Sequence, residues 1–77
     1  MKYIIWSHRH REWWQADRSG YTSTVVRAGE YSAIEAGEIT LAGLPGASTA
    51  VDIQLRPKFA YLSGDEVEEL LETLRRL

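Results

Sequence analysis

Tyr3-Ile4-Ile5-Trp6-Ser7-His8-Arg9-His10-Arg11-Glu12-Trp13-Trp14-Gln15 is the stretch that decides the fold. Tyr3 to Trp6 are β-branched or aromatic, the types that suit a strand. Ser7 to Arg11 is polar and reads as a turn. Glu12 to Gln15 then runs back as a second strand, so the stretch predicts a hairpin. Successive side chains on a strand point to opposite faces, so Trp13 and Trp14 cannot enter the same core. One is expected in the core and the other on a face that is covered or exposed. Trp is enriched at binding hot spots, which makes this pair a candidate partner contact.

Ala16 to Gly20 reads as loop, with Gly20 supplying a positive φ before Tyr21-Thr22. Val25 and Val26 are a short apolar pair ahead of Ala28-Gly29-Glu30. Ser32-Ala33-Ile34-Glu35 fits a capping box, with Ser32 as N-cap and Tyr31 placed to pack on Ala36. The helix predicted after it runs over 33–42, with Ile34, Ile39 and Leu41 as its larger apolar residues. Gly37 weakens it by ~1 kcal/mol relative to Ala. Gly43 to Ser48 is a Gly/Pro-punctuated loop. Over 49–55, Val51, Ile53 and Leu55 alternate with Asp52 and Gln54, which predicts a half-buried strand ended by Pro57. Phe59, Tyr61 and Leu62 suggest one more short extended piece.

Ser63-Gly64-Asp65-Glu66 is a second capping box. Behind it Val67, Leu70, Leu71, Leu74 and Leu77 share one face, the clearest helical pattern in the chain. Asp65 and Glu66 suit the positive N-terminus of that helix, and Arg75 and Arg76 its negative C-terminus. The order is β-β-α-β-α. The expected fold is α+β: a small antiparallel sheet of about three strands packed against two helices, in a single domain over 1–77.

Composition narrows the class. A chain of 77 residues with 44% hydrophobic content, three Trp and four Tyr has a globular make-up rather than that of a disordered tail. It has no cysteine, so no disulfide framework, Cys-based zinc site or Cys nucleophile. Secreted domains this small usually need such staples, so a cytoplasmic protein is expected, without a membrane partner. The apolar run at 3–6 is shorter than the ~7–15 residues of a signal peptide. Charge is uneven: residues 1–27 carry five basic and two acidic side chains, and residues 28–77 four basic and nine acidic. The net charge of −2 lacks the basic excess of a general nucleic-acid binder.

Chemistry-bearing residues are sparse. His8 and His10 have a spacing that suits a metal, but Arg9 and Arg11 flank them and no third ligand lies nearby. Ser, His and Asp all occur, yet no motif marks a nucleophile, and Ser32 and Ser63 have capping roles. Gly43 to Gly46 lacks the Lys and Ser/Thr of a phosphate loop. No catalytic residue, metal or cofactor is expected, so function is assigned to the surface. Two surfaces stand out. The basic, aromatic hairpin (Arg9, Arg11, Arg18 and Trp13) has the ingredients for nucleic-acid contacts. The last helix carries Asp65, Glu66, Glu68, Glu69 and Glu72, a set suited to docking on a basic groove. Each has a plain structural reading beside it: aromatics that fill a small core, and a solvated helix face.

A resemblance bears on the choice. Trp13-Trp14, Gly20-Tyr21-Thr22, Ala28-Gly29-Glu30-Tyr31-Ser32 and Glu35-Ala36, after a strand ending in Trp6-Ser7, resemble a pattern in small phage and prophage proteins. It covers roughly residues 3–40. The chain is also similar to small anti-CRISPR proteins that act on type I Cascade complexes. That resemblance implies a monomeric, stoichiometric inhibitor that binds a host Cas effector (Cascade) protein and blocks target DNA binding, without itself touching nucleic acid. The acidic set and one of Trp13 and Trp14 are the expected contacts. The alternatives are a nucleic-acid-binding phage accessory protein and a phage structural or assembly protein.

Overall fold

The computed structural model describes residues 1–43 and 46–77. Its sheet is organised on β1 (Lys2–Ser7), which pairs along both edges. On one edge β5 (Ser48–Asp52) runs antiparallel, from Tyr3 opposite Asp52 to Ser7 opposite Ser48. The other edge is shared. β2 (Glu12–Trp14) takes one end, with Trp6 opposite Trp13, and β4 (Tyr31–Ser32) takes the other, with Tyr3 opposite Tyr31. β3 (Tyr21–Thr22) continues the sheet beyond β2. The hairpin read from residues 3–15 is therefore present. Its turn closes with the Arg11 N–H donating to the Ser7 carbonyl at 2.8 Å.

The fold mixes α and β as expected, but the sheet has five strands instead of about three. The order of strands and α-helices is β-β-β-β-α-β-α. β3 and β4 have two residues each, too few to show an alternating pattern. They are strands because β2 and β1 offer edges to pair with.

α1 (Ala33–Leu41) and α2 (Gly64–Arg75) both start on the capping boxes read from the sequence. In α2, Val67 and Leu71 are buried, while Leu77 lies past the helix end and is exposed. In α1 the expectation needs correction. Ile34 and Leu41 project into solvent, and Ala36 and Ile39 make the buried contact. Tyr31 and Ala36 do meet, in the same core cluster.

The largest departure follows Asp52. The strand expected over 49–55 spans Ser48–Asp52, and Ile53–Phe59 winds into a 3-10 helix. Asp52 caps that helix by accepting the Gln54 N–H at 2.9 Å. Pro57 lies inside it, since a fixed φ near −65° fits a helical turn as well as a strand end. Ile53 and Leu55 still pack on the core. No extended piece forms at 59–62: Phe59 is buried at the helix end, and Tyr61 is fully exposed with φ 64°. Gly20 has the positive φ expected of it, 148°. Of the loop expected at 43–48, Leu44 and Pro45 lie outside the described residues.

Strand alternation sorts the core into two layers. Ile4, Trp6, Trp13 and Val51 meet Val67 and Leu71 of α2, together with Phe59 and Val25. Ile5 and Tyr31 meet Ala36 and Ile39 of α1, with Trp14 against them. The sheet thus lies between the helices, each covering one face. Among the described residues no helix is long and apolar enough to cross a membrane.

Candidate functional site

α2 is amphipathic because its apolar residues recur every three or four positions. Docking that stripe on the sheet leaves the opposite side to its acids. It also leaves a cleft of about 310 Å³ between α2 and β5. Leu55, Leu71 and Leu74 line the cleft with apolar surface, and Asp52, Glu68 and Glu72 add carboxylates. His8 and Thr49 stand at its side.

His8, Thr49 and Glu68 form a hydrogen-bonded chain that no sequence motif announced. His8 Nδ1 lies 2.8 Å from Glu68 Oε2, and His8 Nε2 lies 2.7 Å from Thr49 Oγ1. The indole N–H of Trp6 donates to Glu68 Oε1 at 3.2 Å. A carboxylate only accepts, so a neutral His8 donates from Nδ1 and leaves Nε2 to accept the Thr49 hydroxyl. Hydroxyl, imidazole and carboxylate then stand in the order of a nucleophilic triad. The same chain ties β5, the hairpin turn and α2 together. The pieces come from residues 8, 49 and 68, which is why spacing along the chain gave no signal.

The five acids expected to bind a partner have unequal duties. Asp65 pairs with Arg11. Glu66 closes the capping box by accepting the Ser63 N–H at 2.9 Å. Glu68 is only about 29% exposed and is held by Trp6 and His8. Glu72 lies 3.4 Å from both Arg75 and Arg76. Glu69 is exposed and has no ion pair among the described residues. Asp65, Glu69 and Glu72 are thus the outward charges, while Glu68 belongs partly to the scaffold.

The tryptophan pair divides as the alternation requires. Trp13 is 1% exposed and packs edge-on against Trp6 and Phe59, at ring-centroid distances of 5.0 and 5.2 Å. Trp14 sits on the other face, half-buried beside Tyr21. Core burial leaves Trp13 no surface to offer a partner or a base. Of the basic set, Arg11 pairs with Asp65 and Arg18 with Glu38 at 3.0 Å, and Arg9 is exposed without an ion pair among the described residues. His8 and His10 have separate partners: the His10 ring stacks on Tyr21 with centroids 3.8 Å apart. Arg9, His10, Trp14 and Tyr21 border a second, more open hollow of about 300 Å³ on the α1 side of the sheet.

Among the described residues no group of three or more His, Cys, Asp or Glu side chains could hold a metal ion. No family model, curated protein or solved structure matches this chain.

Proposed function

We propose that this chain is a phage-encoded inhibitor of host CRISPR-Cas immunity that binds a Cas effector complex stoichiometrically and blocks its access to target DNA. The observation that carries the binding reading is the outward row of carboxylates on α2. Asp65, Glu69 and Glu72 stand on the side that the core does not use, and a basic surface built for nucleic acid is their natural complement. The likeness to phage and anti-CRISPR proteins supplies the biological setting. Trp13 is buried, so the nucleic-acid reading loses the residue expected to stack on a base.

The test is a competition assay with a purified type I effector complex and labelled target DNA. The chain is expected to reduce DNA binding in proportion to its molar ratio. The double reversal Glu69→Lys/Glu72→Lys is expected to weaken it without loss of helix content. No effect of the parent chain on DNA binding, or undiminished inhibition by the double variant, sinks the reading.

A second reading is favoured by the Thr49–His8–Glu68 order: hydrolysis of a small acyl ester in the cleft. Thr49 Oγ1 would attack the carbonyl carbon while its proton passes to His8 Nε2 and then to the departing alcohol. Water, deprotonated by His8, would release the acid from the Thr49 ester and restore the hydroxyl. Labelling by a fluorophosphonate probe that Thr49→Val abolishes is expected on this reading; an unlabelled parent chain rules it out.

A further inference from the structure

The cleft beside α2 is lined by Thr49, Ala50, Val51 and Asp52, four consecutive residues of β5. Neighbouring strand residues point to opposite faces, so a cleft that touches all four lies along the strand's edge. That edge is unpaired. β5 bonds to β1 on one side, and among the described residues none of its backbone groups has a backbone partner on the other. Every second residue therefore turns a free N–H and C=O toward the cleft. Native sheets usually guard such an edge with Lys, Pro or a bulge. Ser48-Thr49-Ala50-Val51-Asp52 contains neither Lys nor Pro. The wall opposite, from α2, offers Leu71 and Leu74 with Glu68, Glu72 and Arg75.

We infer that this cleft binds an extended, basic segment of a partner protein as an added β-strand. Main-chain hydrogen bonds to β5 hold the segment, its apolar side chains meet Leu55, Leu71 and Leu74, and its Lys or Arg side chains meet Asp52, Glu68 and Glu72. A groove between a strand edge and a helix is a recurring setting for peptide capture by strand addition. Five residues of β5 at ~3.4 Å each match a segment of about five residues. Charge selects the occupant. Three carboxylates against the one guanidinium of Arg75 repel nucleic acid. They also disfavour edge-to-edge pairing of two copies, which would bring the same acids together. This inference rests on the partner-binding reading and names where and how the partner is held.

The probe is a capped pentapeptide of alternating Lys/Arg and Val, titrated into the full chain and followed by amide NMR and hydrogen exchange. Shift changes are expected on Ser48–Asp52 and on the Leu71 and Leu74 methyls, with slowed exchange at alternate β5 amides. A Glu/Val peptide and an N-methylated basic peptide are expected to give neither. Glu72→Lys is expected to weaken the basic peptide about tenfold, as is raising salt from about 50 to about 500 mM, because rim charges are exposed to screening. Absent or scattered shifts, or equal binding of the N-methylated peptide, overturn the inference. So does β5 protection without peptide in a chain of doubled mass, which would make a second copy the occupant. The effector assay is separate: inhibition without peptide binding refutes the cleft alone, and peptide binding without inhibition refutes the function alone.

Discussion

Replacing Glu68 by Ala tests whether the acidic helix is only a surface or also part of the frame. The side chain accepts the Trp6 indole N–H at 3.2 Å and the His8 imidazole at 2.8 Å. Trp6 is 2% exposed, and its indole N–H has Glu68 as its acceptor. An orphaned buried donor costs about 1–3 kcal/mol. The His8 contact is about 30% exposed on both sides, so water competes for it and its loss costs a few tenths of a kcal/mol up to about 1. The sum is about 1–4 kcal/mol, against a total stability of about 4–12 kcal/mol for a chain of this length. The midpoint of thermal unfolding should fall by roughly 4–30 °C. Urea unfolding followed by Trp fluorescence measures the free-energy loss, with an unchanged m-value showing that the unfolded state is the same. Glu68→Gln keeps an oxygen for Trp6 and should recover about half of the loss, whereas Glu69→Ala should stay within about 0.5 kcal/mol of the parent. If Glu68→Ala is as stable as Glu69→Ala, the Trp6–Glu68–His8 chain contributes nothing and the reasoning fails.

Three more outcomes follow from the packing. A Cβ on Gly29 would lie 2.4 Å from the Ala16 nitrogen, so Gly29→Ala should destabilise by about 3 kcal/mol or more, read by urea unfolding. Gly37 has open space around it, and Gly37→Ala should stabilise by up to about 1 kcal/mol. The buried Tyr31 hydroxyl donates to the Gln15 carbonyl and accepts the Arg18 N–H at 3.0 Å, so Tyr31→Phe should cost about 1–3 kcal/mol and speed exchange at Arg18. The Ser32 backbone N–H, then the Ser32 hydroxyl, hold the Glu35 carboxyl below its ordinary value. A lowered folded-state value makes its contribution complete above the unfolded value and lost as pH falls through the folded one. An NMR titration should show Glu35 titrating below a reference carboxylate, and Glu35→Gln should remove that part of the acid dependence.

Much of the local structure was legible because local rules govern it. The two capping boxes at Ser32 and Ser63 need only residues three apart, and both form. The hairpin needs an apolar strand, a polar turn and a return. The opposed faces of Trp13 and Trp14 follow from strand geometry alone, whatever covers each face. Elsewhere the pattern was ambiguous. Val51, Ile53 and Leu55 face the core, but spacing at every second residue cannot show that the backbone leaves β5 after Asp52 and reaches the same core as a 3-10 helix. Ile34 and Leu41 are apolar without being buried, since α1 meets the sheet through Ala36 and Ile39.

The sequence by itself determined the mixed class, the helix starts, the hairpin and the split of charge between the two ends of the chain. Those depend on hydrogen bonds and side-chain periods spanning a few residues. Only the tertiary structure decided that β1 pairs on both edges, that Gly29 must lack a side chain, and that Glu68 is held inside the acidic face. It alone joined residues 8, 49 and 68 and left the β5 edge open beside α2. Each of these depends on how segments distant in the chain meet, and no spacing along one strand or helix encodes it.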